Sequence, residues 1–111
     1  AKEEMRELRA ELFARGEPAA RVLVDGLRIL ETADQRPLLT ELRVPSLWIA
    51  GRCDRLVDPR AMRDAAALIE QAGHAHAGFA QIEHAGHAPF LTHADEVVAH
   101  MTVFLSDGAV P

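Results

Sequence analysis

Cysteine, clustered positive charge and long apolar runs are what this sequence has least of. One cysteine, Cys53, stands in 111 residues. No internal disulfide is possible, and a reducing compartment, the cytoplasm, is expected. The chain carries 12 Lys and Arg against 17 Asp and Glu, a net charge of −5. No two of those cations are adjacent, so the sequence lacks the basic tracts that hold nucleic acid, and no such partner is expected. No apolar run approaches the roughly 18 residues that cross a bilayer, so no membrane partner is expected either. Repeats and low-complexity segments are missing too. The first residue is Ala1 and no leader pattern follows it. A piece of something longer is therefore expected.

What is present is ordinary globular composition, 49% hydrophobic and 26% charged. Residues 2–15 place Met5, Leu8 and Leu12 at helical spacing among charges, with Gly16 as a C-terminal cap. Pro18 suits a first helical position, and 18–30 read as a second helix. Pro37 opens a short helical turn. The period then changes. "VPSLWIAG" (44–51) is a continuous apolar run of strand length, closed by Gly51, and suits a buried parallel strand. Asp58-Pro59 supplies an N-cap and a proline at the first position of a helix over 59–72, with Met62, Ala65, Ala66 and Ile69 inward. "AGFAQIE" (77–83) is the next strand, and Thr92 with Asp95 has the form of a capping box for a last helix to about Leu105. Strand, helix, strand, helix predicts an α/β fold with a parallel sheet. Two parallel strands do not make a stable sheet alone, so the end of a larger α/β fold is expected.

In open parallel sheets, functional groups collect just beyond the carboxyl ends of the strands. "GRCDRLVDP" follows the first strand and puts Asp54 three residues past Gly51. "EHAGHAPFLTH" follows the second and puts His87 beside Gly86. A carboxylate reaching an imidazole fixes the ring tautomer and stabilises the imidazolium formed in general-base catalysis. Histidine is suited to that exchange because it titrates near neutral pH. Asp58 is a rival acid, but its place before Pro59 makes it a cap. His84-x-x-His87 with His93 nearby does not amount to an organised ligand set, so no metal is expected. Cys53 reads as a small buried or half-buried thiol. His74, His76 and His100 read as solvated.

"VPSLWIAGRCDRLVDP" followed by "IEHAGHAPFLTHADEVVAHMTVFL" resembles the C-terminal part of an α/β-hydrolase, in which the acid follows a Gly-x-x-Asp loop and the base sits in a Gly-His-x-Pro loop. "GHAPFLTH" and "GLRILETADQRPLL" are similar to the branch of carboxylic ester hydrolases that cleaves the methyl ester of a pimeloyl group on acyl-carrier protein in biotin synthesis. That resemblance implies residues 1–36 as a helical lid segment and 37–111 as hydrolase core. It implies Asp54 and His87 as catalytic, and His87 with Leu56 against the substrate. It implies Lys2 and Arg6 as contacts for the carrier protein, no cofactor, and a monomer when complete. The substrate would be an acyl-carrier-protein-bound or a small ester.

The nucleophile elbow of that family, Gly-x-Ser-x-Gly, occurs nowhere in the sequence. The two serines, Ser46 and Ser106, have no flanking glycines. Two members of a triad are here and the third is not, so the chain alone is expected to be nearly inactive and to need an N-terminal half. Dehalogenases, epoxide hydrolases and C–C hydrolases share the Asp and His loops and stand as alternatives. An inactive truncated or split product is another.

Overall fold

A computed structural model of the chain describes residues 2–107. The chain divides into two compact units, 1–35 and 36–111.

The first unit holds α1 (Lys2–Phe13) and α2 (Ala20–Thr32). Gly16 takes φ +84°, a left-handed conformation that glycine adopts freely, and its N–H donates to the Phe13 carbonyl at 3.1 Å. Pro18 is not the start of α2. The helix opens two residues later behind Ala19, whose backbone is extended at φ −60° and ψ 144°. A proline ring fixes φ near −65°, which extended backbone accommodates as well as a helix, so the ring alone does not set the boundary. Neither helix buries a residue, and Leu23, Leu27 and Leu30 at helical spacing stay more than half exposed.

The second unit runs α3 (Arg36–Leu39), β1 (Ser46–Gly51), α4 (Pro59–Ala72), β2 (Ala77–Ile82), α5 (Pro89–Thr92) and α6 (Ala94–Ser106). The strands pair in parallel from Ser46 with Ala77 to Gly51 with Ile82. Side chains alternate between the faces of a strand, and the two cores follow that alternation. Trp48, Ala77 and Phe79 pack with Ala66 and Ile69 of α4, while Ile49 and Ile82 pack with Ala85 and Val97 of α6. One helix therefore covers each face. Leu47, Trp48 and Ile49 are only half-buried, where the sequence pattern suggested a strand covered on both sides.

Helix α4 has the ends the sequence predicts. The Asp58 carboxylate accepts the Arg60 N–H at 2.9 Å, Pro59 follows, and Gly73 closes the helix at φ +78°. The capping box at Thr92 and Asp95 does not form. Pro89 instead starts the short α5, and His93 then precedes α6 without a side-chain cap. The Thr92 hydroxyl is spent on the Ala88 carbonyl and the His93 ring. His76 is exposed, as expected, and is also partnered. Its Nδ1 pairs with Glu70, whose Oε1 also accepts the Ala77 N–H at 2.6 Å, and its ring stacks on Phe104 with centroids 5.9 Å apart. Among the described residues no helix is long and apolar enough to cross a membrane.

Candidate active site

Past the ends of the strands, the two loops are stitched together through backbone. The Arg52 N–H donates to the Ile82 carbonyl and the Cys53 N–H to the Ala85 carbonyl, both at 2.9 Å. Gly51 makes this approach possible: a Cβ there would lie 2.1 Å from the Gly86 oxygen and 2.4 Å from the Ala85 oxygen. The requirement is for absent volume, not for unusual φ.

The stitch places Asp54 against His87. One carboxylate oxygen, Oδ1, accepts the N–H groups of Leu56 at 2.8 Å and Val57 at 3.0 Å. The other, Oδ2, lies 3.1 Å from His87 Nδ1. The Asp54 side chain is 7% exposed and the His87 side chain 56%. The Val57 N–H is the main reason the Asp54 carboxyl is held below the usual carboxylate range. The Leu56 N–H and the His87 ring add to it, against the opposing cost of partial burial. An anion so held accepts Nδ1–H and leaves Nε2 as the basic nitrogen. Nε2 has no hydrogen-bond partner among the described residues. Beside the pair is a pocket of about 100 Å³ lined by Ile49, Ala50, Asp54, Val57, Met62 and His87. Those groups set a small, largely apolar recess next to a base.

Leu56 is 78% exposed and its side chain does not line that pocket; only its N–H serves the pair. Asp58 is the cap of α4 and is engaged bidentately by Arg60. Cys53 is exposed, not half-buried, because its loop runs outward beyond Gly51, with the thiol 3.7 Å from the Glu83 carbonyl. Ser46 Oγ accepts the Trp48 indole N–H at 2.9 Å, and Ser106 Oγ donates to the Thr102 carbonyl, so neither hydroxyl approaches His87. No group of three or more His, Cys, Asp or Glu among the described residues could hold a metal ion. In the first unit, Lys2 and Arg6 line one groove of α1 with Met5, Leu8, Arg9 and Leu12. Sequence reading overlooked Arg9 and the Val57 N–H. The first was available from its spacing three residues after Arg6, while the second is backbone and leaves no mark on residue type.

The chain is similar to pimeloyl-[acyl-carrier protein] methyl ester esterases. The relative from Stenotrophomonas maltophilia (strain K279a) is 54% identical over 106 residues, which is 96% of this chain and 39% of the relative. That from Xanthomonas campestris pv. campestris (strain B100) is 51% identical over 106 residues, again 96% of this chain and 40% of the relative. That from Xanthomonas axonopodis pv. citri (strain 306) is 47% identical over the same length and shares. The chain thus spans about 40% of the length of the curated relatives it matches. No protein-family model matches it. The relatives are esterases by name, and the parallel α/β arrangement with its acid and base at the strand ends agrees with a hydrolase segment.

Proposed function

We propose that this chain is the acid-and-base portion of a carboxylic ester hydrolase of the α/β-hydrolase family. Its substrate in this reading is the methyl ester of a pimeloyl group on acyl-carrier protein, in biotin synthesis. The observation that carries the reading is the 3.1 Å contact between His87 Nδ1 and Asp54 at adjacent strand ends. Asp54 holds the ring with Nε2 outward, and Nε2 takes the proton of an attacking hydroxyl and returns it to the leaving methoxide. The hydroxyl comes from a serine elbow outside these 111 residues, since no Gly-x-Ser-x-Gly occurs within them. Alone, the chain lacks esterase activity. No cofactor enters the reaction, and a monomeric complete enzyme in the cytoplasm suits a chain whose one thiol is free.

The α1 groove supports a carrier-protein contact in the lid. Residues three and four apart share a helix face, so Lys2, Arg6 and Arg9 stand together with Met5, Leu8 and Leu12. At 100° per residue, Glu7 and Glu11 fall on the other side of α1, while Glu3 and Glu4 flank the face at its edges. The centre of the face, at Lys2, Arg6 and Arg9, carries cations alone. A basic and apolar stripe of this kind fits an acidic protein surface.

The test is a chimaera in which residues 2–107 replace the matching segment of the Stenotrophomonas maltophilia esterase. Methanol release from pimeloyl-acyl-carrier-protein methyl ester is expected, with loss in His87→Ala. A chimaera that melts cooperatively yet releases no methanol, or one that turns over without His87, overturns the reading.

A further inference from the structure

From residue 36 onward the cationic side chains are Arg36, Arg43, Arg52, Arg55, Arg60 and Arg63, and no Lys or Arg follows Arg63. Four of these six line one open pocket, together with Asp54, Leu56, Asp58, Pro59 and Gln81. In a chain of net charge −5, that concentration runs against the overall sign. From this gathering of arginines we propose a binding site for a phosphate-bearing ligand, on the α4 side of the strand ends.

The four guanidiniums are not equivalent. Arg60 is held bidentately by Asp58, the cap of α4, and Arg52 donates to the Glu83 carbonyl and pairs with its carboxylate at 2.9 Å. Those two are charge-matched and oriented. Arg63 lies over the Phe79 ring, 5.2 Å from its centroid, and has no carboxylate partner among the described residues. Arg55 has no ion-pair or hydrogen-bond partner among them either. Two guanidiniums are thus free to take an anion. Three of the four side chains are already placed, which lowers the entropy cost of binding. A guanidinium offers paired N–H donors to two oxygens of one anion. A phosphate has enough oxygens to take N–H groups from both free arginines at once, whereas a carboxylate has two. The Asp54 carboxylate that also lines the pocket is occupied by the Leu56 and Val57 N–H groups and the His87 ring. Asp54 lines both this pocket and the apolar pocket beside His87, so the anion would sit next to the candidate active site. The site does not depend on the ester-hydrolase reading, because no step of that chemistry uses an arginine.

Arginine footprinting with phenylglyoxal, read by peptide mass spectrometry at constant ionic strength, is the test. The probe is inorganic phosphate, with acetate and chloride as comparisons. Protection scales as 1 + [L]/Kd, so phosphate at twice its dissociation constant is expected to slow labelling of Arg55 and Arg63 about threefold. Arg15 and Arg28 of the first unit serve as references that do not change. In Arg63→Gln the protection of Arg55 is lost, whereas in Arg43→Gln, outside this pocket, it stays. Running the same measurement on the chimaera removes dependence on how the chain folds alone. Equal protection of all arginines, equal protection by acetate or chloride, or none at Arg55 and Arg63 overturns the proposal.

Discussion

Gly51 and Gly86 face each other so closely that a single methyl group on Gly51 would stand 2.1 Å from the Gly86 carbonyl oxygen. The neighbour is backbone and has no rotamer to give. That contact sets the spacing of the loops bearing Asp54 and His87.

Gly51→Ala is therefore expected to part the loops. Overpacking typically costs about 1–3 kcal/mol, and a clash against two carbonyl oxygens belongs at the upper end. In the chimaera, activity should fall with the melting temperature, and the protection of the Cys53 amide from hydrogen exchange should vanish. A variant with unchanged exchange at Cys53 would show that the approach is not as tight as described.

Much of this site is legible in residue types. The run from Val44 to Gly51 announces a strand, Asp58-Pro59 a helix start, and His87 between Gly86 and Ala88-Pro89 a constrained loop. The contact between Gly51 and the backbone of Ala85 and Gly86 is not legible, because it joins segments distant in sequence through main-chain atoms. The helix after His87 misled for a related reason. Thr92 and Asp95 have capping-box spacing, but Pro89 starts a turn of its own and draws the Thr92 hydroxyl back to Ala88. Local patterns name the candidates, and a tertiary competitor decides which one acts.

Asp54→Asn separates the two jobs of that carboxylate. The amide oxygen can still accept the Leu56 and Val57 N–H groups, so the turn should persist. Its NH₂ then faces His87 Nδ1 and forces the tautomer protonated on Nε2. ¹⁵N shifts of the ring should report that switch, and turnover of the chimaera should drop about 10⁴-fold, as expected for a base in the wrong tautomer. Asp54→Ala should lose the turn as well. Equal turnover in Asp54→Asn and the parent would remove Asp54 from the mechanism.

Acid should loosen the fold at two separate places. The Asp54 and Glu70 carboxyls both sit below their ordinary values, Asp54 chiefly through the Val57 N–H and Glu70 chiefly through the Ala77 N–H. A depressed folded value means that the stabilisation is complete above the unfolded pKa and disappears as pH falls through the folded one. Amide protection at Val57 and Ala77 should then be level from pH 7 to about pH 5 and decline below about pH 4, where carboxylates begin to protonate. Glu70→Gln should flatten the profile at Ala77 and leave Val57 alone. A decline that is already complete above pH 5 would show that these two carboxyls are not the groups responsible.

The last expectation concerns the chain by itself. Only Ile69 and Ile82 are large side chains withdrawn completely from water in the described residues. Covering one such side chain contributes about 1.5–3 kcal/mol, whereas a stable domain holds about 5–15 kcal/mol after the chain entropy is met. The sheet has two strands, so each presents one unpaired edge, and two-stranded sheets are marginal in water. Leu56, Phe90, Val98 and Leu105 are each more than half exposed, which favours association through apolar contact over a closed monomer. Circular dichroism of the 111 residues should show helix that melts over a broad range, together with binding of a hydrophobic dye and a concentration-dependent particle size. The chimaera should melt sharply. A sharp, concentration-independent transition of a monomer in the isolated chain would show that the two helices on the sheet faces suffice, and that the half-buried Leu47, Trp48 and Ile49 need no further cover.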